Sequence, residues 1–122
     1  MDNLPCISLI IPILNGESYI SRSISQLRSL EDIYRNRIEF ILVDDGSVDN
    51  TLTIAKQLTS ESTNWRLIQN AQNMGKGYSV RKGMLTASGD ILVFVRSGND
   101  GRQLCNKLSK STISSSLIFS SP

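Results

Sequence analysis

Histidine is absent from the 122-residue sequence, and its absence excludes several kinds of catalytic site. Without imidazole there is no Ser-His-Asp or Cys-His arrangement, no histidine-ligated zinc and no histidine general base. The two cysteines, Cys6 and Cys105, lie far apart and lack the spacing of a redox pair or a metal knuckle. We therefore expect reduced thiols and no catalysis by an imidazole.

An excess of one charge and a long apolar run are also missing. Thirteen Lys and Arg residues face eleven Asp and Glu residues, a net charge of +2, which excludes a nucleic-acid binder driven by phosphate contacts. No stretch approaches the roughly 20 apolar residues that span a bilayer. The apolar run at residues 6–14 follows Asp2 and contains Pro12, so it predicts a strand and not a secretory signal. We expect a cytoplasmic chain with at most peripheral contact at the cytoplasmic face of the membrane.

Apolar segments rich in β-branched residues alternate with segments of helical periodicity. Strands are predicted at residues 7–13, 40–43, 65–68 and 91–95. Apolar residues at helical spacing predict three helices between them. Their stripes are Ile20, Ile24 and Leu27 in a helix that starts near Ser18, then Leu52, Ala55 and Leu58, and then Val80, Met84 and Ala87. This order predicts an α/β fold, a Rossmann-like parallel sheet with helices on both faces and a first strand buried on both sides. Ligands of such sheets bind beyond the carboxyl ends of the strands, where Asn15 and residues 44–49 and 73–77 fall.

The composition changes after Val95. Beyond Asp100 the sequence has no acidic residue and becomes rich in serine, so it can bury little apolar surface. We therefore divide the chain into residues 1–95 and a Ser-rich tail at residues 96–122, which we expect to be weakly ordered. The alternative is a final helix at residues 101–110.

Two adjacent carboxylates, Asp44 and Asp45, follow the second predicted strand. Adjacent carboxylates repel each other unless a cation or hydrogen-bond donors lie nearby, so the pair indicates a ligand with N–H or O–H donors, such as a nucleobase or a ribose. The alternative is that Asp44, Asp45 and the residues after them are only turn and helix-capping residues, with Ser47 or Asp49 as the N-cap.

Glycines and basic residues precede and begin the third predicted helix. The segment reads Asn73-Met74-Gly75-Lys76-Gly77 and is followed by Arg81 and Lys82. A helix N-terminus favours anions, and Lys76 with Arg81 adds positive charge, so a diphosphate fits this place. The spacing matches neither a P-loop nor the G-x-G-x-x-G fingerprint, and an ordinary helix-entry turn is the alternative.

Taken together, these segments resemble the inverting glycosyltransferases of family 2, which have the GT-A fold. The resemblance is carried by four segments, SLIIPILNGE at residues 8–17, FILVDDGSVDNT at 40–51, NMGKGYSVRKGML at 73–85 and ASGD at 87–90. The third segment is most similar to the polyprenyl-phosphate branch, above all the dolichyl-phosphate β-glucosyltransferases. The resemblance covers about residues 6 to 95, which it identifies as the nucleotide-binding half of a GT-A domain.

The resemblance implies a set of nucleotide-binding residues. Pro12, Asn15 and Glu17 match the segment that cradles the nucleotide, although Gly16 stands where many members have Glu. Asp45 matches the carboxylate that contacts uracil or ribose, with Asp44 supporting it. The basic positions near the diphosphate of a UDP-sugar or GDP-sugar are matched by Lys76 and Arg81.

One departure from the family concerns the metal. The resemblance implies Mg²⁺ or Mn²⁺ held by an Asp-x-Asp motif after the fourth strand, where this sequence reads Arg96-Ser97-Gly98. A cation there repels the ion, so we expect no metal ligand in this chain. The acceptor half of the family, with its catalytic-base Asp, has no counterpart in this sequence, so we also expect no catalytic residue. Three hypotheses follow, namely an active enzyme, a truncated or frame-shifted glycosyltransferase without its acceptor half, and a non-catalytic module that binds a nucleoside diphosphate. We favour the second, and expect an exposed edge at the fourth strand that allows self-association.

Overall fold

The computed structural model describes residues 5–95 and 118–120, the latter as backbone. Its strands are β1 (Ile7–Ile13), β2 (Ile38–Asp44), β3 (Trp65–Gln69), β4 (Ile91–Phe94) and β5 (Ile118–Ser120), and its helices are α1 (Ile20–Tyr34), α2 (Thr51–Thr59) and α3 (Lys76–Thr86). A 3₁₀ turn, Arg35–Arg37, links α1 to β2. The predicted alternation of strand and helix is confirmed.

The strands form one sheet in the order β3-β2-β1-β4-β5. The first four are parallel, as predicted, and β5 pairs with β4 in the antiparallel direction. We expected β4 to be an open edge, but β5 covers it, so the edges of the described sheet are β3 and β5. The rest of the Ser-rich tail and the alternative helix at residues 101–110 lie outside the described residues.

Helices cover both faces of the sheet because β1 and β2 are apolar on both faces. On one face, Leu9 and Phe40 pack with α1 and α2 in the larger core cluster. On the other face, Ile10 and Ile41 form a smaller cluster against α3. All seven residues of β1 are buried, which confirms the prediction of a strand buried on both sides.

Close packing of α3 on the sheet depends on one glycine. An added Cβ at Gly83 would lie 2.5 Å from Cγ2 of Ile10, so α3 can approach β1 only without a side chain at this position. Glycine at this position therefore lets α3 lie directly on β1 and β2.

Two details of the helices differ from the predictions. The first helix begins at Ile20 and not near Ser18. Leu58 was assigned to the buried stripe of α2, but it is exposed, and Thr51, Ala55 and Thr59 are the buried residues. Threonine can occupy this face because its hydroxyl finds a partner there, as Thr59 does by donating to the Ala55 carbonyl. None of the helices in the described segments is long and apolar enough to span a membrane.

A polar cluster joins the amino ends of three strands around the Glu39 carboxylate. The Glu39 carboxylate accepts hydrogen bonds from the Ser8 hydroxyl and from the backbone N–H and hydroxyl of Ser88. Arg66 Nε lies 3.6 Å from Glu39 Oε1. Burial alone would raise the pKa of Glu39, but these hydrogen bonds and the Arg66 charge outweigh burial and hold the pKa below its ordinary value.

The Glu39→Gln variant is expected to unfold with a weaker dependence on pH than the wild-type chain. A carboxyl with a lowered pKa in the folded state stabilises it above the unfolded pKa, and this contribution is lost as the pH falls through the folded value. Urea unfolding at about pH 6 and about pH 3 measures the loss of stability between the two pH values, which we expect to be smaller in the variant than in the wild-type chain. Glu61→Gln, at an exposed residue, is the matched control. An equal loss in Glu39→Gln and wild type would contradict the prediction.

Candidate functional site

Three loops meet at the carboxyl ends of β1, β2 and β3, as the sequence predicted. The β1–α1 loop and the β3–α3 loop both hydrogen-bond to the β2–α2 loop between them. This arrangement follows from the sheet order, because β2 lies between β1 and β3. The predicted polar residues of all three loops are thus brought to one edge of the sheet.

The β1–α1 and β2–α2 loops are joined by reciprocal hydrogen bonds. The Asn15 N–H donates to the Ser47 hydroxyl at 2.8 Å, and Asn15 Oδ1 accepts from the Val48 N–H at 2.9 Å. The Glu17 carboxylate accepts from the Asn50 N–H at 2.9 Å. Asn15 has a left-handed φ of 49°, which asparagine tolerates better than most residues. Both predicted nucleotide-binding side chains therefore hold the neighbouring loop, and a direct contact of either with a nucleotide stays a prediction.

Asp44 is buried at the end of β2, and its carboxylate closes the turn that follows. Oδ1 accepts from the Ser47 hydroxyl at 2.5 Å, and Oδ2 accepts from the Ser47 N–H at 3.2 Å. The same hydroxyl receives the Asn15 N–H, so Asp44 also supports the β1–α1 loop. Its part in nucleotide binding stays a prediction.

Asp45 is 4% exposed, and donors from the β3–α3 segment surround its carboxylate. Oδ1 accepts from the Met74 N–H at 2.7 Å and from the Asn70 side-chain amide at 3.0 Å, and Oδ2 accepts from the Gly75 N–H at 3.0 Å. Burial raises the pKa of Asp45, but these hydrogen bonds, with one from Ser79, outweigh burial and hold the pKa below its ordinary value. The carboxylate is therefore charged and holds the β3–α3 loop in place.

The donors that we expected from a ligand are supplied by the chain itself. Asp44 and Asp45 can lie side by side because their oxygens accept from different loops, Asp44 from its own turn and Asp45 from the β3–α3 segment. The adjacent carboxylates alone therefore do not require a ligand, so that prediction from the pair was wrong. The assignment of Asp45 to a nucleobase or ribose rests on the family resemblance and stays a prediction.

Three residues that the sequence analysis did not assign to the site lie behind Asp45. The buried Asn70 amide donates to Asp45 and, at 2.9 Å, to the Ser79 hydroxyl. Its oxygen accepts from Lys82 Nζ at 3.2 Å. Asn70 follows β3 directly, and Ser79 and Lys82 are three residues apart on α3, which places them on neighbouring positions of one helix face.

A cleft of about 110 Å³ opens where the loops meet. It is lined by residues of all three loops, Pro12, Ile13, Leu14, Asp45, Asn73, Gly75 and Lys76. One wall is apolar and comes from the end of β1, and the other is polar and comes from Asp45 and the start of α3. The predicted residues Pro12, Asp45 and Lys76 share this cleft.

Arg81 does not line the cleft. Successive helical residues are rotated by about 100°, so Arg81 lies about 200° from the buried Ser79 and from the buried Gly83, on the outer side of α3. It is exposed there, whereas Lys76 lies at the first position of α3 beside the cleft. The structure therefore brings Lys76 and not Arg81 to the other predicted residues, and a diphosphate contact of Arg81 stays a prediction.

The described residues do not fit a divalent metal ion. In residues 5–95 and 118–120 no three carboxylate, cysteine or histidine side chains converge as ligands. The carboxylates of Asp44 and Asp45 are engaged by protein donors, and the Lys76 cation lines the same cleft as Asp45. The segment Arg96-Ser97-Gly98, where the resemblance implies metal ligands, lies outside the described residues.

Comparisons with known proteins agree with the family that the motifs predicted. The family model described as Glycosyl transferase family 2 matches residues 8–96. An uncharacterized glycosyltransferase of Haemophilus influenzae is 35% identical over 95 residues, which cover 78% of this chain and 37% of that protein. The dolichyl-phosphate beta-glucosyltransferase of Saccharomyces cerevisiae is 34% identical over 94 residues, covering 72% of this chain and 28% of that protein. The chain thus spans about a third of the length of these relatives.

Solved structures confirm the fold. The S. aureus TarS structure in complex with UDP-GlcNAc superposes with a TM-score of 0.69 at 26% identity, over 85% of this chain and 30% of that one. A mannosyltransferase from Pyrobaculum calidifontis, solved with GDP-Man and Mn²⁺, superposes with a TM-score of 0.71 over 86% of this chain and 32% of that one. At 19% identity, the second structure shows the fold alone. The α/β sheet with helices on both faces is therefore that of these glycosyltransferases.

Proposed function

Because the chain belongs to glycosyl transferase family 2, we propose that it forms the part of a glycosyltransferase that binds the nucleotide-sugar donor. The observation that supports this most directly is the cleft at the carboxyl ends of the strands, lined on one side by the apolar end of β1 and on the other by Asp45 and Lys76. In this proposal the nucleoside of a UDP-sugar or GDP-sugar lies against the apolar end of β1 and the Asp45 carboxylate.

The start of α3 supplies the phosphate-binding part of the proposed site. Lys76 is the first residue of α3, so its ammonium group and the free backbone N–H groups of the first helical turn lie together. Gly75, with a φ of +98°, has open space where a Cβ would stand, and Gly77 likewise has no atom within 4 Å of that position. A diphosphate can thus approach the backbone closely, with Lys76 as its counter-charge.

The acceptor and the metal belong to the complete reaction. Two relatives are named as enzymes of polyprenyl phosphates, the yeast glucosyltransferase and a dodecaprenyl-phosphate galacturonate synthase of Rhizobium johnstonii. We therefore propose a polyprenyl phosphate as the acceptor, which makes peripheral membrane contact part of the proposal. The Mg²⁺ or Mn²⁺ that the family implies would neutralise the leaving nucleoside diphosphate, but the described residues do not fit it.

An alternative is a module that binds a nucleoside diphosphate without transferring sugar. It is favoured by Arg96, a cation where the resemblance implies the first metal-binding aspartate. Both functions share the donor site, and an assay of sugar transfer with Mn²⁺ tests the module. Transfer above the buffer rate would refute the module, whereas binding without transfer is expected both for the module and for a donor-binding part without its acceptor half.

The Lys76→Met variant is expected to bind UDP about tenfold more weakly than the wild-type chain, with unchanged binding of uridine. The ammonium group contacts only the phosphates in the proposed site, and uridine has none. Titration of the ¹⁵N-labelled chain with each ligand, followed by NMR, measures both affinities.

Lys56→Met is the matched control, because Lys56 is an exposed lysine of α2 on the other face of the sheet. It is expected to leave both affinities unchanged. Wild-type chain that binds neither ligand, or binds uridine as tightly as UDP, would refute the proposed donor site.

A further inference from the structure

Asn70 is 1% exposed, and its side-chain amide makes three hydrogen bonds. The amide nitrogen donates to Asp45 Oδ1 at 3.0 Å and to the Ser79 hydroxyl at 2.9 Å. The amide oxygen accepts from Lys82 Nζ at 3.2 Å. Both amide hydrogens are therefore used, and β3, the β2–α2 loop and α3 are joined through one side chain.

The direction of this amide matters because its two ends differ chemically. An amide nitrogen can only donate and an amide oxygen can only accept, and the two can exchange places by a rotation of about 180°. Rotated in this way, Asn70 would present its oxygen to the Asp45 carboxylate, two acceptors facing each other. Lysine has donors only, so Lys82 binds the oxygen end and leaves the nitrogen end for Asp45.

We infer that Lys82 is a positioning residue of the donor site, which acts through Asn70 on the Asp45 carboxylate. Asp45 in turn holds the N–H groups of Met74 and Gly75, the residues that lead to Lys76 at the cleft. Loss of the Lys82 ammonium group thus weakens the hydrogen bonds by which Asn70 and Asp45 hold the polar wall of the cleft. The inference rests on the proposed function, since it concerns how that cleft is shaped for a nucleotide.

A different role for Lys82 has to be separated from this one. A lysine near a helix N-terminus can also attract a diphosphate directly, as we propose for Lys76. Lys82, however, lies nearly two helical turns after Lys76 and is absent from the cleft lining. Its ammonium group is directed to Asn70 and lies 6.0 Å from the Tyr78 ring, which also attracts a cation.

The test uses the full chain with Lys82→Met, titrated by NMR with uridine and with UDP. We expect both ligands to bind about fivefold more weakly, because the change acts on the wall beside the nucleoside and not on the phosphates. Lys82→Arg, which keeps a donor to Asn70, is expected to restore both affinities. In the ligand-free chain, the amide hydrogens of Met74 and Gly75 are expected to exchange faster in Lys82→Met than in wild type, and Lys56→Met again serves as the control.

The other outcomes have distinct meanings. Weaker binding of UDP alone would place Lys82 at the diphosphate and overturn the inference, as would two unchanged affinities. If wild-type chain binds neither ligand, the proposed function fails. In that case, hydrogen exchange of the Met74 and Gly75 amides still tests the positioning role. An unchanged exchange rate in Lys82→Met would refute this role, whereas faster exchange would show that Lys82 positions the loop without a nucleotide being its ligand.

Discussion

The Asp45→Ala variant is expected to lose measurable UDP binding and to have a free energy of unfolding lower by about 3 kcal/mol. The substitution removes the acceptor of three hydrogen bonds, which come from the N–H groups of Met74 and Gly75 and from one amide hydrogen of Asn70. The Gly75 N–H keeps a second acceptor, Asn73 Oδ1 at 3.2 Å, whereas the other two donors lose their partner. A buried donor that loses its partner costs about 1–3 kcal/mol, and the two loop donors recover part of this by turning toward water. The β3–α3 loop is then no longer held at the cleft.

Urea unfolding measures the stability of this variant, and NMR titration with UDP measures its affinity. Asp32→Ala is the control because Asp32 is an exposed aspartate of α1, where the same substitution is expected to change the free energy of unfolding by less than about 0.5 kcal/mol. If Asp45→Ala kept the wild-type affinity for UDP, Asp45 would have no part in the site. If it kept the wild-type stability, the three hydrogen bonds would contribute nothing net.

The parts of the fold that could be predicted from sequence are those that depend on the local periodicity of apolar residues. The continuous apolar run of residues 7–13 predicts a strand buried on both faces, and β1 has that burial. Alternation of strand and helix predicts a parallel sheet, and with it the meeting of three loops at one edge. Each of these inferences needs only residues that are neighbours in the chain.

Two features of the fold were missed, one because its buried residues are polar and the other because it is short. The buried face of α2 includes Thr51 and Thr59, which an apolar stripe does not identify, so Leu58 was placed inside. Thr51 is suited to burial because its hydroxyl accepts the Gly16 N–H across the loops. Strand β5 comprises three residues in a Ser-rich segment, too short for a period of two to be recognised.

The site could be located from sequence but not its internal contacts. The adjacent carboxylates of Asp44 and Asp45 predict a loop that lines the cleft. Asp44 accepts from its own turn, whereas the partners of Asp45 lie in a segment whose approach depends on the whole sheet. Asn70 is 25 residues from Asp45 in the chain, and no spacing within one element indicates that pair. We interpreted the adjacent carboxylates as evidence of a ligand, but in the fold they belong to a polar network that shapes the cleft.

Gly46→Ala is expected to lower the free energy of unfolding by about 3 kcal/mol and to weaken UDP binding. Gly46 has a φ of +74°, a left-handed conformation that costs a residue with a Cβ about 1–2 kcal/mol. The added Cβ would also lie 2.6 Å from the carbonyl carbon of Gln72 and 2.7 Å from the Asn73 nitrogen. Because both are backbone atoms, the β3–α3 loop has to move away from the β2–α2 loop.

Gly77→Ala provides a matched control with the opposite expected sign. Gly77 lies in the first turn of α3 and has no atom within 4 Å of an added Cβ, so alanine there is expected to raise the free energy of unfolding by about 0.5–1 kcal/mol. Urea unfolding of both variants compares a glycine at a loop contact with a glycine in open space, and UDP titration of Gly46→Ala measures its loss of affinity. Equal stability of the two variants would show that the β2–α2 and β3–α3 loops can separate without cost, and the cleft between them would then not be preformed.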